Sequence, residues 1–185
     1  MCDGAQRVKL LAEVADVLEA SSISFALIGA GALAVHGVSR STQDLDLLSA
    51  DNRCFDAVLW MPLREGGGAV EVRRGDVDDP LAGVVRFSRD DSRPVDLIVG
   101  RHRFEERVVE RAVTTRVAER SVPVASPSDL ILLKLYAGGP QDAWDIHQLL
   151  DAGDRPALIA GVAADLDDLP TPARDLWRRI VDSDQ

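Results

Sequence analysis

The spacing of hydrophobic and polar residues predicts a chain of short strands and helices. Apolar residues recur every three to four positions over residues 8–19, which predicts an amphipathic helix. The apolar run 24–28 predicts a strand, and residues 30–36 predict a short helix that Gly37 ends. Alternating polar and apolar residues over 44–48 predict a second strand. The chain therefore begins as helix, strand, helix, strand.

The remaining pattern predicts further strands first and then only helices. A helix is expected over 51–60, a loop over 62–68 and a helix over 103–112, with strands at 70–73, 84–88, 95–99, 115–118 and 122–124. The last helices are expected over 128–137, 141–150, 156–164 and 172–181. This order predicts an α+β fold, with a mixed β-sheet core and its N-terminal helix over residues 1–125. Residues 126–185 then form a helical C-terminal extension packed on that core.

Composition is that of a soluble globular protein, at 46% hydrophobic and 28% charged residues. No apolar run approaches the ~20 residues of a membrane span. The first residues form an amphipathic pattern with internal acids, unlike a signal peptide. Cys2 and Cys54 are the only cysteines and form neither a disulfide framework nor a zinc motif. We therefore expect a reduced, cytoplasmic protein with no membrane partner.

Charge restricts the class of partner. The net charge of −10 argues against a broad basic face for nucleic acid, although it leaves room for a local basic patch. Only two residues are lysine, and one of them, Lys134, lies inside an apolar helical pattern. Two interpretations of Lys134 compete. In one it binds a substrate or a phosphate, and in the other its side chain only extends along the helix to water.

Three acidic residues lie within or beside apolar strands. Asp44 and Asp46 are separated by one residue, so their side chains share one face of the strand. Asp96 lies in a second apolar strand. Ionised acids among buried neighbours are costly unless they are paired or bind a metal. The three positions therefore predict a Mg²⁺ site of the kind that holds a nucleoside triphosphate and supports phosphoryl transfer.

A glycine turn precedes these acids. Gly29 ends the first strand and opens a helix, where free backbone N–H groups face outward and no Cβ blocks the approach of a phosphate. Arg40, in the loop before the acids, is suited to clamp a phosphate oxygen. A glycine turn, an arginine and strand acids together favour a nucleotide site.

These residues carry a resemblance to a known group. The segment IGAGALAVHGVSRSTQDLDLL, with Asp96 later, resembles the signature of the nucleotidyltransferase superfamily, which has the DNA polymerase β-like fold. The His-Gly pair before the Arg-x-Thr loop makes the segment most similar to AbiEii/AbiGii-type toxins of bacterial abortive-infection and toxin–antitoxin systems. The later segment SPSDLILLKLYAGGPQDAWDIHQLL fits the same group through Lys134, Asp142 and Asp145. The resemblance covers residues 24–150.

The resemblance implies a Mg²⁺-dependent enzyme that transfers a nucleoside monophosphate from an NTP to a hydroxyl and releases pyrophosphate. A tRNA end, a protein or a small molecule is the implied acceptor, and a cognate antitoxin is a candidate partner. The implied metal ligands are Asp44, Asp46 and Asp96, which with Lys134 form the catalytic set. The implied nucleotide-binding residues are Gly29, Ala30, Arg40, Thr42, Asp142 and Asp145.

Two other interpretations remain open. Ala30 stands where the group carries Gly or Ser, and Gln141 stands where the group carries Lys. Both departures favour a catalytically degenerate binding module of the same fold. Gly29, Gly31 and Ala34 also match the Rossmann dinucleotide fingerprint G-x-G-x-x-[GA]. That second interpretation is less favoured, because the Rossmann fold has no use for two in-line carboxylates in its second strand.

Overall fold

A seven-stranded mixed sheet organises the molecule, and the predicted α+β class is confirmed. The computed structural model describes residues 9–39, 44–117 and 119–182. The strands are β1 Ala26–Ile28, β2 Leu45–Ser49, β3 Ala69–Arg74, β4 Gly83–Ser88, β5 Val95–Val99, β6 Val113–Val117 and β7 Arg120–Val124. Their order across the sheet is β3-β4-β5-β2-β1-β7-β6.

The described residues also form eight α-helices. They are α1 Lys9–Ala20, α2 Gly29–Val35, α3 Met61–Glu65, α4 Arg103–Glu110, α5 Pro127–Ala137, α6 Pro140–Ala152, α7 Arg155–Ala163 and α8 Thr171–Asp182. Short 3-10 helices lie at Asn52–Phe55 and Leu166–Asp168. No helix in these described ranges is long and apolar enough to cross a membrane.

One expectation about the helices is wrong. The predicted helix 51–60 is a 3-10 turn followed by loop, and α3 occupies part of the predicted loop 62–68. Trp60 decides this, because its indole is fully buried, packs edge-on against Phe87 and donates a hydrogen bond to the Cys54 carbonyl at 2.7 Å. Pro62 then lies in the first turn of α3, where its missing N–H costs nothing.

Pairing between the first two strands excludes the Rossmann interpretation. β1 is antiparallel to β2, whereas the dinucleotide fold begins with parallel strands joined by a helix. β2 is instead parallel to β5, and β5 is antiparallel to β4. The Rossmann alternative is therefore wrong for this chain.

The two faces of the central strands differ in burial. Residues of β4 and β5 alternate between buried and half-buried, as expected for a sheet with one covered face. The covered face carries Leu47, Val85 and Leu97, all fully buried. Charged side chains are tolerated on the opposite, partly open face.

The C-terminal helices pack against the sheet domain through α5. This helix begins at Pro127 after the cap Ser126, whose hydroxyl accepts a hydrogen bond from the Asp129 N–H. It contacts α2, α6, α7 and α8, and its apolar residues join the same core as the strands. A boundary near residue 126 stays a prediction, but the packing of α5 on α2 places the end of α5 beside the glycine turn.

Candidate active site

Strand register brings the acids together. Asp46 of β2 is directly beside Asp96 of parallel β5, and Asp44 immediately precedes β2. Neighbouring strands lie about 4.8 Å apart, so the two aligned carboxylates are side by side on the open face. Asp44 shares this face, because alternate residues of a strand point the same way.

An arginine that the motifs did not indicate bridges two of these acids. Arg86 of β4 is aligned with Asp96, and its Nη1 donates to Asp96 Oδ2 at 2.9 Å. Its Nη2 donates to Asp44 Oδ2 at 3.5 Å. The available signal was a single charged residue in the middle of the apolar strand VVRFS. Its partner depended on strand order, which the sequence pattern did not provide.

Asp46 experiences the strongest electrostatic perturbation of the three acids. Burial, followed by the charges of Asp96 and Asp44, raises its pKa to about 6 against the opposing charges of Lys134 and Arg86. Burial also raises the pKa of Asp96, with Asp44 adding to the effect and Arg86 opposing it. The site therefore concentrates negative charge that two cations only partly offset.

Gly29 is required by a close approach of Asp46. Its φ of +57° lies in the left-handed region, and a Cβ there would overlap the Asp46 carboxylate. The expected reason for this glycine was access for a phosphate, and the structure adds a second reason. The turn that opens α2 and the acid of β2 fit together only without a side chain at position 29.

Lys134 reaches the site from α5. Its Nζ lies 2.5 Å from Asp145 Oδ2 and 3.1 Å from Asp142 Oδ1. Asp142 also accepts the Gly139 N–H at 3.0 Å and so caps the start of α6. Asp145 is fully buried, so its carboxylate acts on the site by holding Lys134 rather than by facing a ligand. Asp142 and Asp145 thereby hold the Lys134 ammonium close enough to Asp46 for its positive charge to lower the Asp46 pKa.

A cavity of about 520 Å³ lies between the sheet and the C-terminal helices. Gly29, Ala30 and Asp46 line one side, and Lys134, Gln141 and Asp142 line the other. Further lining comes from the apolar residues Ile28, Leu33, Leu48, Ile98, Leu130 and Leu133. A mostly apolar pocket with a few convergent polar groups is typical of a small-molecule site.

A second polar cluster, absent from the sequence predictions, adjoins the same cavity. The Tyr136 hydroxyl lies 2.7 Å from His102 Nε2 and donates to the Pro80 carbonyl at 3.2 Å. Glu105 accepts the backbone N–H groups of Arg101 and His102, each at 2.8 Å. Burial raises the pKa of Glu105. These groups tie α4 and α5 to the loop after β3 and give the cavity a rigid wall.

The donor chemistry suits Mg²⁺ bound together with a nucleotide. In the described residues, no group of three or more His, Cys, Asp or Glu side chains is placed to hold a metal ion. Arg86 occupies one oxygen of Asp96 and one of Asp44. Asp96 Oδ1, however, is buried and has no hydrogen-bond partner within those residues. Mg²⁺ in nucleotide sites is commonly held by one or two carboxylates and substrate phosphates. Asp46 and Asp96 fit that arrangement.

The structure thus assembles most of the expected set. Asp44, Asp46 and Asp96 share one face, Gly29 and Ala30 lie beside Asp46, and Lys134 and Asp142 face them across the cavity. Arg40 and Thr42 lie outside the described residues. The individual roles of these residues stay predictions.

The family model described as "nucleotidyltransferase of unknown function (DUF6036)" matches residues 6–154. The chain belongs to this family. The match includes both the glycine turn with its acids and the helix that carries Lys134. It confirms the nucleotidyltransferase part of the resemblance, whereas the closer likeness to AbiEii/AbiGii-type toxins stays a prediction. No curated protein matches the chain.

Solved structures agree with this fold. A solution structure of the antibiotic-resistance factor ANT(2'')-Ia superposes with a TM-score of 0.56 at 16% identity, covering 89% of this chain and 93% of that one. A crystal structure of ANT(2'')-Ia with adenylyl-2''-tobramycin gives 0.53 at 15%, covering 85% and 95%. An antigenic nucleotidyltransferase-like protein from Paracoccidioides brasiliensis gives 0.50 at 15%, covering 94% and 93%. This nucleotidyltransferase shares their architecture at low identity.

We expect Gly29→Ala to destabilise this nucleotidyltransferase more than Gly37→Ala. Gly37 also has a positive φ, of +85°, but a Cβ there meets nothing within 4 Å. Gly37→Ala should therefore lower the free energy of unfolding by about 1 kcal/mol through backbone strain alone. Gly29→Ala adds the overlap with Asp46 and should cost about 2–4 kcal/mol. Urea denaturation measures both, and equal losses would contradict the close approach.

The raised pKa of Asp46 predicts a defined pH dependence in the absence of divalent cations. The folded carboxyl holds its proton up to about pH 6, while the unfolded one ionises near 3.8. The folded state therefore binds more protons in this window, and stability falls as pH rises from about 4 to about 6. Asp46→Asn should remove about 2 kcal/mol of this loss.

Urea denaturation of both proteins in EDTA, from pH 4 to pH 7, measures this difference. The exposed Asp151→Asn serves as the matched control, and its stability should follow the wild-type curve at every pH. A constant gap between wild type and Asp46→Asn across the window would contradict the assigned burial and repulsion.

Proposed function

We propose that this nucleotidyltransferase transfers a nucleoside monophosphate from an NTP to a hydroxyl acceptor in a Mg²⁺-dependent reaction. The observation that carries the proposal is the convergence of Asp44, Asp46 and Asp96 on one sheet face, beside a cavity that Lys134 closes from the opposite side. Carboxylates held together despite mutual repulsion are suited to a bound cation.

Each residue then has a distinct task. Asp46 and Asp96, with Asp44, would hold Mg²⁺, which when bound would neutralise charge on the triphosphate and lower the pKa of the acceptor hydroxyl. Backbone N–H groups at Gly29 and Ala30 would orient the phosphates, assisted by Arg40 and Thr42, which precede β2 in the chain. Lys134, fixed by Asp142 and Asp145, would bind the anionic nucleotide from the other wall.

Bond making and breaking take place beside Asp96. The acceptor oxygen attacks the α-phosphorus, a new O–P bond forms, and the bond to pyrophosphate breaks. Burial raises the pKa of Asp96, which suits its carboxylate to accept the hydroxyl proton. Arg86 would hold the Asp96 carboxylate in place through its hydrogen bond to Oδ2.

The acceptor hydroxyl belongs to a tRNA end, a protein or a small molecule. ANT(2'')-Ia, whose architecture this chain shares, has been observed with adenylyl-2''-tobramycin, a nucleotidylated small molecule. The shared fold supports the reaction type, while the acceptor has to be identified from the site itself.

Labelled NTPs test the proposal. Wild-type protein incubated with each of four α-labelled NTPs, Mg²⁺ and a mixture of tRNA, lysate protein and small hydroxyl compounds should produce a labelled product and pyrophosphate. Asp46→Asn and Asp96→Asn should each lower the rate by at least about 10²-fold, since they remove a metal ligand or the proton acceptor. Asp151→Asn should retain the wild-type rate.

Calorimetry with a non-hydrolysable NTP separates the catalytic interpretation from the degenerate one. Mg²⁺-dependent NTP binding without any turnover would favour the binding module suggested by Ala30 and Gln141. Wild-type turnover in Asp46→Asn would contradict the assigned site.

The resemblance to AbiEii/AbiGii-type proteins supports a further hypothesis, that the activity is toxic to the cell and is restrained by a cognate antitoxin. Induced expression of wild-type protein in a bacterial host should then arrest growth, and Asp46→Asn should abolish the arrest because the same transfer causes it. Growth curves with matched protein levels measure this. Arrest by both proteins would show that toxicity does not depend on transfer.

A further inference from the structure

A second cavity of about 420 Å³ adjoins Asp96 on the side away from the glycine turn. Arg73, Arg74 and Arg86 line it, together with Asp96 and Asp79. Three arginines against two acids give this lining a small positive excess, in a chain with a net charge of −10. This arginine cavity is separate from the cavity that Gly29, Asp46 and Lys134 line, although Pro80 and Leu81 contribute to both.

Strand order decides which substrate reaches the arginine cavity. Asp46 lies on β2, Asp96 on β5, Arg86 on β4 and Arg73 on the edge strand β3. Each step across the sheet is about 4.8 Å, so β3 is about 10 Å beyond Asp96 and about 19 Å from β1, which leads into Gly29. In an in-line transfer the α-phosphorus lies between pyrophosphate and acceptor. With the triphosphate over Gly29, the acceptor lies on the arginine side.

One of the three arginines, Arg73, offers positive charge to a ligand on the face that carries Asp96. Arg86 is engaged with Asp96 and Asp44. Arg73 pairs with Glu71, but both side chains are largely exposed, at 73% and 56%, and such pairs contribute little. Arg74 follows Arg73 directly on β3 and is aligned with Gly83, so its side chain leaves the opposite, covered face, where its guanidinium stacks 4.6 Å above the ring of the buried Phe55.

We infer that the acceptor is a small molecule carrying a phosphate group, which Arg73 binds while its hydroxyl lies at Asp96. This inference rests on the proposed function and adds the substrate class. Arginine presents paired N–H donors that match two phosphate oxygens. Arg73 lies two strands away from Asp96 and two residues along β3 from the aligned position, a backbone separation of about 12 Å. One sugar-sized unit and the length of an arginine side chain cover this distance.

Charge and size favour a small phosphate ester over a nucleic acid. The connection between β3 and β4 carries Asp76, Asp78 and Asp79, and Asp79 reaches the cavity lining. A long polyanion would be repelled by these acids and by the overall negative charge, whereas a single phosphate meets mainly the arginines. The volume is also that of a small-molecule pocket.

Calorimetry tests the inference with matched probes. The protein is first saturated with Mg²⁺ and a non-hydrolysable NTP, and then titrated with ribose 5-phosphate or with ribose. We expect ribose 5-phosphate to bind at least about tenfold more tightly, since a charge-assisted hydrogen bond contributes a tenfold factor or more. Arg73→Gln should abolish this preference and leave NTP binding unchanged.

Arg116→Gln is the matched control, because it removes an exposed arginine from β6 at the opposite edge of the same sheet. It should retain the preference for ribose 5-phosphate. Equal binding of the two sugars, or an unchanged preference in Arg73→Gln, would overturn the inference while leaving the proposed function intact. A failure of wild-type protein to bind the NTP would overturn both. Tighter binding of a short RNA than of ribose 5-phosphate would overturn the choice of a small acceptor.

Discussion

The structure depends on keeping three carboxylates together on one half-buried sheet face. Asp44, Asp46 and Asp96 repel one another, and burial adds to the cost of ionising Asp46 and Asp96. Arg86 on the next strand and Lys134 on α5 reduce this cost from two sides. The acids therefore depend on cationic partners from elements distant in the chain. Because these partners offset the negative charge only in part, the site is suited to bind a further cation.

This requirement links the sheet to the C-terminal helices. Lys134 is useful only if α5 packs across the glycine turn, and its ammonium points correctly only because Asp142 and Asp145 hold it. Asp145 is an acid fully buried beneath the site, which is tolerable because it is paired. The C-terminal helices therefore line the cavity and also contribute to the hydrophobic core.

The sequence pattern predicted the bounds of a strand or helix well where neighbouring residues alone decide them. The strand 95–99 matches its prediction residue for residue, and the helices near residues 9–20 and 127–137 begin and end within two residues of expectation. The predicted helix 51–60 failed because burial of Trp60, a tertiary effect, competes with helical periodicity. The glycine turn was identified for phosphate access, yet its closest neighbour is the Asp46 carboxylate, a contact that depends on β1–β2 pairing.

The sequence by itself determined the fold class and the candidate acids, because alternation along a strand places Asp44 and Asp46 on one face whatever their surroundings. It also identified Lys134 as an unusual cation in an apolar helix. Only the tertiary structure decided that Arg86 bridges two acids and that Arg73 and Arg74 border the site, because strand order sets which side chains meet across a sheet. Hydrophobic periodicity records which face of a strand is covered, but it carries no information about which strand lies beside it.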